Sequence, residues 1–339
     1  MTADPLRGTS TLVTGGAGFI GSHLVAALAA RGARVRVLDN LSTGRRENLT
    51  AVGAIDGELV VGDLRDTEDC RRTCRGVEIV FHLAAVGSVP RSMEDPAETI
   101  AVNVGGTANL FAAARDAGVR RIVYSSSSSV YGDSETTPKR EGEEGRPLSP
   151  YALSKQMCEE LADTFGRCFE LGAIGLRYFN VYGPRQDPNG PYAAVIPRFA
   201  SALLAGQPAV IYGDGRQSRD FTWVGDAAAA NVAAAVAPAA ACGRAYNVGS
   251  GRRTTLLELE RRIRDLVGGG PTPHFAGPRA GDVRHSLAAT EAAAQRLGFT
   301  AGTPLGVGLD ASLPYYRELA AETSKAAPSA RQRSSAAAI

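Results

Sequence analysis

Histidine and cysteine are scarce in this chain, and neither is clustered. Histidine occurs 4 times (His23, His82, His274, His285) and cysteine 5 times (Cys70, Cys74, Cys158, Cys168, Cys242), with no CxxC pair. A zinc site needs ligands grouped at short spacing, so no metal site is expected. The odd, dispersed cysteines argue against a disulfide framework and fit the reduced thiols of a cytoplasmic protein. An excess of either charge is lacking as well: 37 basic residues face 35 acidic ones, for a net charge of +2. That balance excludes the basic footprint of a nucleic-acid or membrane-surface protein. Long apolar runs are missing too. The most apolar stretch, residues 227–242, is mostly alanine and carries Asn231 and Pro238, so a soluble helix followed by a break is expected there. The opening MTADPLRGTS has no apolar core of a signal peptide, which adds to the cytoplasmic expectation.

What is present is a globular composition. The chain has 339 residues, 44% hydrophobic and 21% charged. Disorder over the whole length is excluded, and the length predicts two domains or one large α/β unit. A chain of this size buries roughly three quarters of its unfolded surface and needs no staples.

Apolar patterning alternates between strand and helix. Residues 11–14 (TLVT) form a short β-prone run before a glycine cluster. Phe19, Ile20, Leu24, Val25 and Leu28 then recur at helical spacing up to Gly32. Further strands are predicted over 35–38, 59–61, 79–83, 121–125 and 173–177, with helices over 96–117 and 151–168. Such alternation argues for a parallel, doubly wound sheet. After Asn180 the pattern changes. A turn-rich loop, GPRQDPNG, is followed by shorter elements and by helices near 195–205, 226–237 and 255–267. The expected division is a cofactor domain over 1–180, a substrate-binding lobe over 181–323 and a disordered tail over 324–339.

The glycine cluster is Gly15-Gly16-Ala17-Gly18-Phe19-Ile20-Gly21. Alone, such a pattern is weak. Here a strand precedes it, a helix follows it, and Asp39 closes the second strand, near the ~20-residue spacing of a ribose-binding carboxylate. Glycines let the backbone turn tightly against a pyrophosphate, and the helix N-terminus supplies free N–H groups. A carboxylate at Asp39 repels a 2′-phosphate, so NAD is expected over NADP, with Arg45 and Arg46 nearby as a weak counter-signal. The Gly62-Asp63-Leu64 turn is placed to meet the adenine edge, or is an ordinary strand end.

Tyr151 and Lys155 stand four apart at a helix start and therefore share a face. An ammonium beside a phenol stabilises the phenolate, which makes a general base of tyrosine. The pair is common on surface helices and gains meaning only after the glycine turn. Ser125 to Ser129 is an uninterrupted serine run at the carboxyl end of a predicted strand, where α/β folds bind ligands.

Taken in order, the glycine turn, His82-Leu83-Ala84-Ala85, the YxxxK pair and Arg177-Tyr178-Phe179-Asn180-Val181-Tyr182-Gly183 resemble the nucleotide-sugar epimerase branch of the extended short-chain dehydrogenase/reductase superfamily. Gly87–Ser92, Arg185–Gly190, Tyr192–Pro197 and Gly281–Leu287 bring the likeness nearest to UDP-N-acetylhexosamine and uronate 4-epimerases. The resemblance implies an α/β fold, a Rossmann-type doubly wound parallel sheet with a smaller α/β substrate-binding lobe. It implies bound NAD, a UDP-sugar substrate and a homodimer paired through the helices near 96–117 and 151–168. It makes Tyr151 the base, has Lys155 tune it, and makes Ser127 the bridging hydroxyl. Gly15, Gly18, Phe19, Ile20, Asp39, Asn40, Asp63, Leu64, Leu83, Ala84, Ala85, Asn103 and Tyr178 join Tyr151 and Lys155 against the cofactor. Ser88, Ser128, Ser129, Asn180, Arg185 and Val195 fall against the substrate. Arg219 and Arg279 are implied to grip the diphosphate, Asp282 the ribose, and Ser286 to border the sugar. Arginine forks suit phosphate oxygens.

Related dehydratases carry an Asp-Glu pair where this chain has Ser128 and Ser129, and uronate decarboxylases a glutamate at Ser129. Neutral serines cannot replace those carboxylates as acid and base, so C4 epimerisation is expected. Ser286 stands where epimerases limited to plain hexoses carry tyrosine, so a substrate bulkier than UDP-glucose is expected. UDP-glucose itself, or a decarboxylase or dehydratase reaction, are the alternatives.

Overall fold

The computed structural model describes residues 4–50, 59–188, 193–278 and 284–326. The first half alternates as expected. Strand β1 (Ser10–Thr14) leads into α1 (Phe19–Ala29), then β2 (Arg34–Asp39), a short α2 (Glu47–Thr50), β3 (Leu59–Val61), α3 (Thr67–Cys74) and β4 (Ile79–His82). Helices α4 (Val89–Glu94), α5 (Pro96–Ile100) and α6 (Gly106–Asp116) precede β5 (Arg121–Ser127), α7 (Pro150–Phe169) and β6 (Ala173–Tyr178). Every residue of β4 and β6 is buried, as befits strands covered on both faces.

The second half uses shorter pieces. They are β7 (Val181–Tyr182), α8 (Val195–Leu204), β8 (Val210–Tyr212), β9 (Ser218–Arg219), β10 (Thr222–Trp223), α9 (Val224–Val236), β11 (Arg244–Val248), β12 (Thr254–Thr255), α10 (Leu256–Val267), β13 (His274–Ala276), α11 (Glu291–Leu297) and α12 (Leu305–Ala326).

The main sheet has 7 strands in the order β11-β6-β5-β4-β1-β2-β3, and every pairing is parallel. The order reverses between β1 and β4, so the crevice of a doubly wound sheet opens beside the glycine turn. Two apolar clusters line the sheet: one contains Leu24, Phe81 and Ile174, the other Leu12, Val80 and Phe111. A third cluster, around Tyr182, Phe199 and Leu259, is the core of the second lobe.

Four differences from the sequence expectation have physical causes. The single helix over 96–117 is broken: α5 and α6 are joined by a π-helical turn, Ala101–Gly105, which lets Asn103 point into the protein. The cut at residue 180 does not divide the sheet, because β11 returns to pair with β6 and α9 packs on α1. Helix α12 went unpredicted, since Gly306, Gly308 and Pro314 blur its periodicity. It runs to Ala326, past the start of the expected tail; residues 327–339 lie outside the described ones.

No helix among the described residues is long and apolar enough to cross a membrane.

Candidate active site

The glycine turn is built by contact. Gly15 has a φ of 68°, and a Cβ there would stand 2.7 Å from the Ala84 amide nitrogen, so the ends of β1 and β4 touch. A Cβ on Gly21 would overlap the Gly15 carbonyl. Gly18 caps α1 in extended conformation with no side-chain cap, which leaves the first N–H groups, those of Phe19 and Ile20 included, aimed at the crevice. These are the requirements of a dinucleotide pyrophosphate, and the chain meets them.

Asp39 ends β2 and is 7% exposed. Its Oδ2 accepts from Ala17 N (2.9 Å) and its Oδ1 from Leu41 N (2.8 Å), so it braces the glycine turn and still offers lone pairs to a ribose. Asp63 is engaged by its neighbours. It accepts from Arg65 and, at 3.0 Å, from Asn40 Nδ2, and the Arg65 guanidinium holds its carboxyl far below the usual range. Leu64 is buried beside it. Past β4, Leu83, Ala84 and Ala85 line the crevice half-buried.

His82 does structural work. Its ring nitrogens meet Thr14 Oγ1 (2.8 Å) and Thr107 Oγ1 (2.9 Å), and burial lowers its pKa to about 3, so the ring is neutral. Asn103 behaves alike. Its carbonyl accepts from Val86 N, and its amide donates to Val86 O and Ser154 Oγ, so the side chain clamps the segment after β4 to α7. Tyr178 Oη takes a bond from Asn231 Nδ2 at 2.7 Å.

Helix α7 starts at a Ser149 cap, whose hydroxyl accepts from Ala152 N, with Pro150 in its first turn. Tyr151 is therefore fixed at the helix mouth, its amide donating to Ser92 Oγ (3.1 Å). One turn on, Lys155 is 4% exposed and donates to Ser125 O (2.8 Å) and Ser125 Oγ (3.3 Å). Its ammonium lies 6.0 Å from the Tyr151 ring centroid. Ser127 ends β5 and caps the following 3₁₀ turn, accepting from Ser129 N at 3.1 Å, which leaves its own proton to donate. Ser128 is half-buried, and the hydroxyl of Ser129 is buried with no partner among the described residues.

On the facing wall Asp220 is fully buried. It gathers Ser250 N, Ser250 Oγ, Gly251 N and Ala288 N on its two oxygens, while burial pushes its pKa up. Asn180, at a left-handed φ of 32°, donates to Asp220 O (3.1 Å). Ser286 N bonds Ser218 O (3.1 Å), next to Arg219. Asn180, Arg219 and Ser286 are thus brought together around β9. Arg185 is not among them: its guanidinium donates to Ser22 Oγ on α1 (3.1 Å), and the adjacent Pro184 carbonyl meets His23 Nε2 (3.0 Å). Ser88 caps α4 and Val195 opens α8. Arg279 and Asp282 lie outside the described residues. The sequence reading passed over Glu159 and gave Asp220 no role. The signal for Glu159 was its place eight residues after Tyr151, on the same helix face.

The arrangement joins a dinucleotide crevice to a phenol, an ammonium and a hydroxyl at the carboxyl ends of β4 and β5, opposite a polar wall. Known proteins resemble the chain in sequence and fold. Residues 11–249 match the NAD dependent epimerase/dehydratase family. A UDP-glucose 4-epimerase of Mycolicibacterium smegmatis is 42% identical over 310 residues, 91% of this chain and 98% of that one. The solved UDP-N-acetylglucosamine 4-epimerase from Methanobrevibacter ruminantium M1, in complex with UDP-N-acetylmuramic acid, has a TM-score of 0.88 at 37% identity, covering 92% of this chain and 99% of that one. UDP-glucuronic acid 4-epimerase from Bacillus cereus, with UDP-4-deoxy-4-fluoro-glucuronic acid and NAD, has a TM-score of 0.85 at 29% identity, over 92% and 100% of the two chains. With residues 11–249 matched and this likeness over nearly the whole chain, the chain belongs to the NAD dependent epimerase/dehydratase family, as a UDP-sugar 4-epimerase that uses NAD.

Proposed function

We propose that the substrate is a UDP-sugar bulkier than UDP-glucose, N-acetylated at C2 or carboxylated at C6. Ser286 carries this reading. It is half-buried on the substrate wall, held by its backbone beside Arg219, and its side chain is small. Epimerisation needs room twice, because the 4-keto ring turns over with all its substituents before reduction from the other face. The unpartnered Ser129 hydroxyl supports the same view, since a buried hydroxyl costs about 1–3 kcal/mol until a polar substituent meets it.

In this reading Tyr151 removes the proton of the 4-hydroxyl, Lys155 stabilises the phenolate, and Ser127 donates its free proton into the same hydrogen-bond chain. NAD, held by the glycine turn and Asp39, would when bound supply the hydride acceptor and donor at C4. Asn180 and Arg219 hold the diphosphate end. With neutral serines at 128 and 129, no acid or base is present there to eliminate at C5 and C6. Met93, Leu153 and Met157 are exposed apolar side chains on α4 and α7, and these helices touch. That face suits a second copy of the chain, so a homodimer is part of the proposal. Phe111, on the expected pairing helix near 96–117, is buried within the subunit.

The test is a panel of UDP-sugars, reading any isomer of unchanged mass. Ser286→Tyr is expected to suppress an N-acetylated substrate far more than UDP-glucose. Equal slowing of both removes the basis of the proposal. UDP-glucose itself is the second reading, favoured by the relative that is 42% identical. Sedimentation at micromolar concentration checks the dimer; a stable monomer contradicts it.

A further inference from the structure

Behind Tyr151 and Lys155 lies a buried polar assembly that the proposed chemistry does not use. Glu159 continues their face of α7 by one more turn. Its Oε1 accepts from the Ser126 hydroxyl of β5 and from Arg177 Nε (2.9 Å), and its Oε2 from Arg177 Nη2 (2.7 Å). This is a two-pronged guanidinium–carboxylate pair, with side chains 7% and 15% exposed. Arg177 also donates, through Nη1, to Tyr131 Oη (3.1 Å) and to Glu144. Tyr131 follows the serine run, and Glu144 sits in the loop leading from that run to α7. One guanidinium on β6 therefore ties the catalytic helix, the serine run and the segment between them.

We propose that Glu159 and Arg177 are positioning residues that set the register of α7 on β5, and hence the approach of Tyr151 and Lys155 to Ser127. The proposal rests on the catalytic reading of those three residues. Lys155 reaches Ser125 and Glu159 reaches Ser126, so two successive turns of α7 are pinned to two successive residues of β5. A helix pinned twice can neither slide nor roll. Proton transfer is sensitive to such shifts: a misplacement of about 1 Å can cost on the order of a hundredfold in rate. Tyr131 links this assembly to the substrate wall, donating to Asn247 Oδ1 (2.7 Å) and packing with Phe179 and Ala288. The bonds of Glu159 and Arg177 run instead to β5, Tyr131 and Glu144, so ground-state binding is expected to survive conservative replacement of those two.

The experiment compares Glu159→Asp, Glu159→Gln and Arg177→Lys with the parent and with Tyr151→Phe, measuring kcat, KM and thermal midpoint together. Glu159→Asp and Arg177→Lys keep charge but lose reach or fork geometry. Each is expected to lower kcat at least about tenfold with KM within about twofold, and the retained charge is expected not to rescue kcat even where it preserves the midpoint. Parent-like kcat in all three variants, beside an inactive Tyr151→Phe, overturns the positioning role whatever happens to the midpoint. A parent-like Tyr151→Phe overturns the catalytic reading instead. Should the Glu159 and Arg177 variants fail to fold, Ser126→Ala cuts the link to β5 alone. A lowered kcat at constant KM then supports the proposal, and an unchanged kcat overturns it.

Discussion

Around the cofactor crevice, β1, β4 and β5 are 5, 4 and 7 residues long and pair side by side in one sheet. On the opposite wall, β7, β9, β10 and β12 are 2 residues each and form separate two-stranded pairs. The crevice is shaped by backbone: glycines, a bare helix end, strand termini in contact. The wall is shaped by one buried carboxylate, Asp220, holding four donors from two segments. A site made of backbone has little freedom to vary, which suits a cofactor common to a family. A site hung on side chains and short ribbons can be re-cut for a new sugar without disturbing the sheet.

The sharpest way to break this contrast is Gly21→Ala. Its methyl would overlap the Gly15 carbonyl, and neither neighbour is a flexible side chain. The protein is expected to purify without NAD and without activity; a normal NAD content refutes the backbone account. Next, Tyr151→Phe is expected to lose ~10²–10⁴-fold in kcat while calorimetry still detects substrate binding.

On the opposite wall, Asp220→Asn turns an acceptor into a donor facing backbone N–H groups. It is expected to cost about 1–3 kcal/mol, raise KM and leave the NAD content unchanged. Loss of NAD in that variant would dissolve the distinction between the halves.

A separate effect is in pH. Burial lowers His82 to about 3 and His23 to about 4, from a usual 6.5. Between those values the unfolded chain binds more protons than the folded one. Stability therefore falls as pH drops below 6.5, by about 1.4 kcal/mol per pH unit for each histidine. Urea midpoints measured from pH 7 to pH 4 in the parent and in His82→Gln should diverge in slope. Parallel slopes would mean that His82 is not held neutral.

This contrast also explains what the sequence could and could not disclose. Gly15, Gly18 and Asp39 announce themselves because backbone requirements restrict residue choice and because their spacing is local. Tyr151 and Lys155 do so through helical period. The partners of Glu159 and Arg177 are far apart in sequence, and a buried guanidinium looks the same on paper as a solvated one. The bonds of the Asn103 side chain to Val86 and Ser154 are equally illegible, because the π-helical turn that aims it has no sequence signature. The return of β11 to the main sheet was hidden for a similar reason. Its five residues, RAYNV, look like any short strand, and only packing decides which neighbour they join.

That return bears on how the molecule is made. During synthesis, β6 emerges with Ile174 and Leu176 uncovered and one side unpaired, and its partner β11 follows only after 65 further residues, counting from Tyr178 to Arg244. Until then the nascent chain presents an open, two-sided edge of the kind that recruits foreign strands. A fragment ending near residue 180, though it holds Ser127, Tyr151 and Lys155, should be prone to aggregation, whereas one ending beyond residue 248 can close its own sheet.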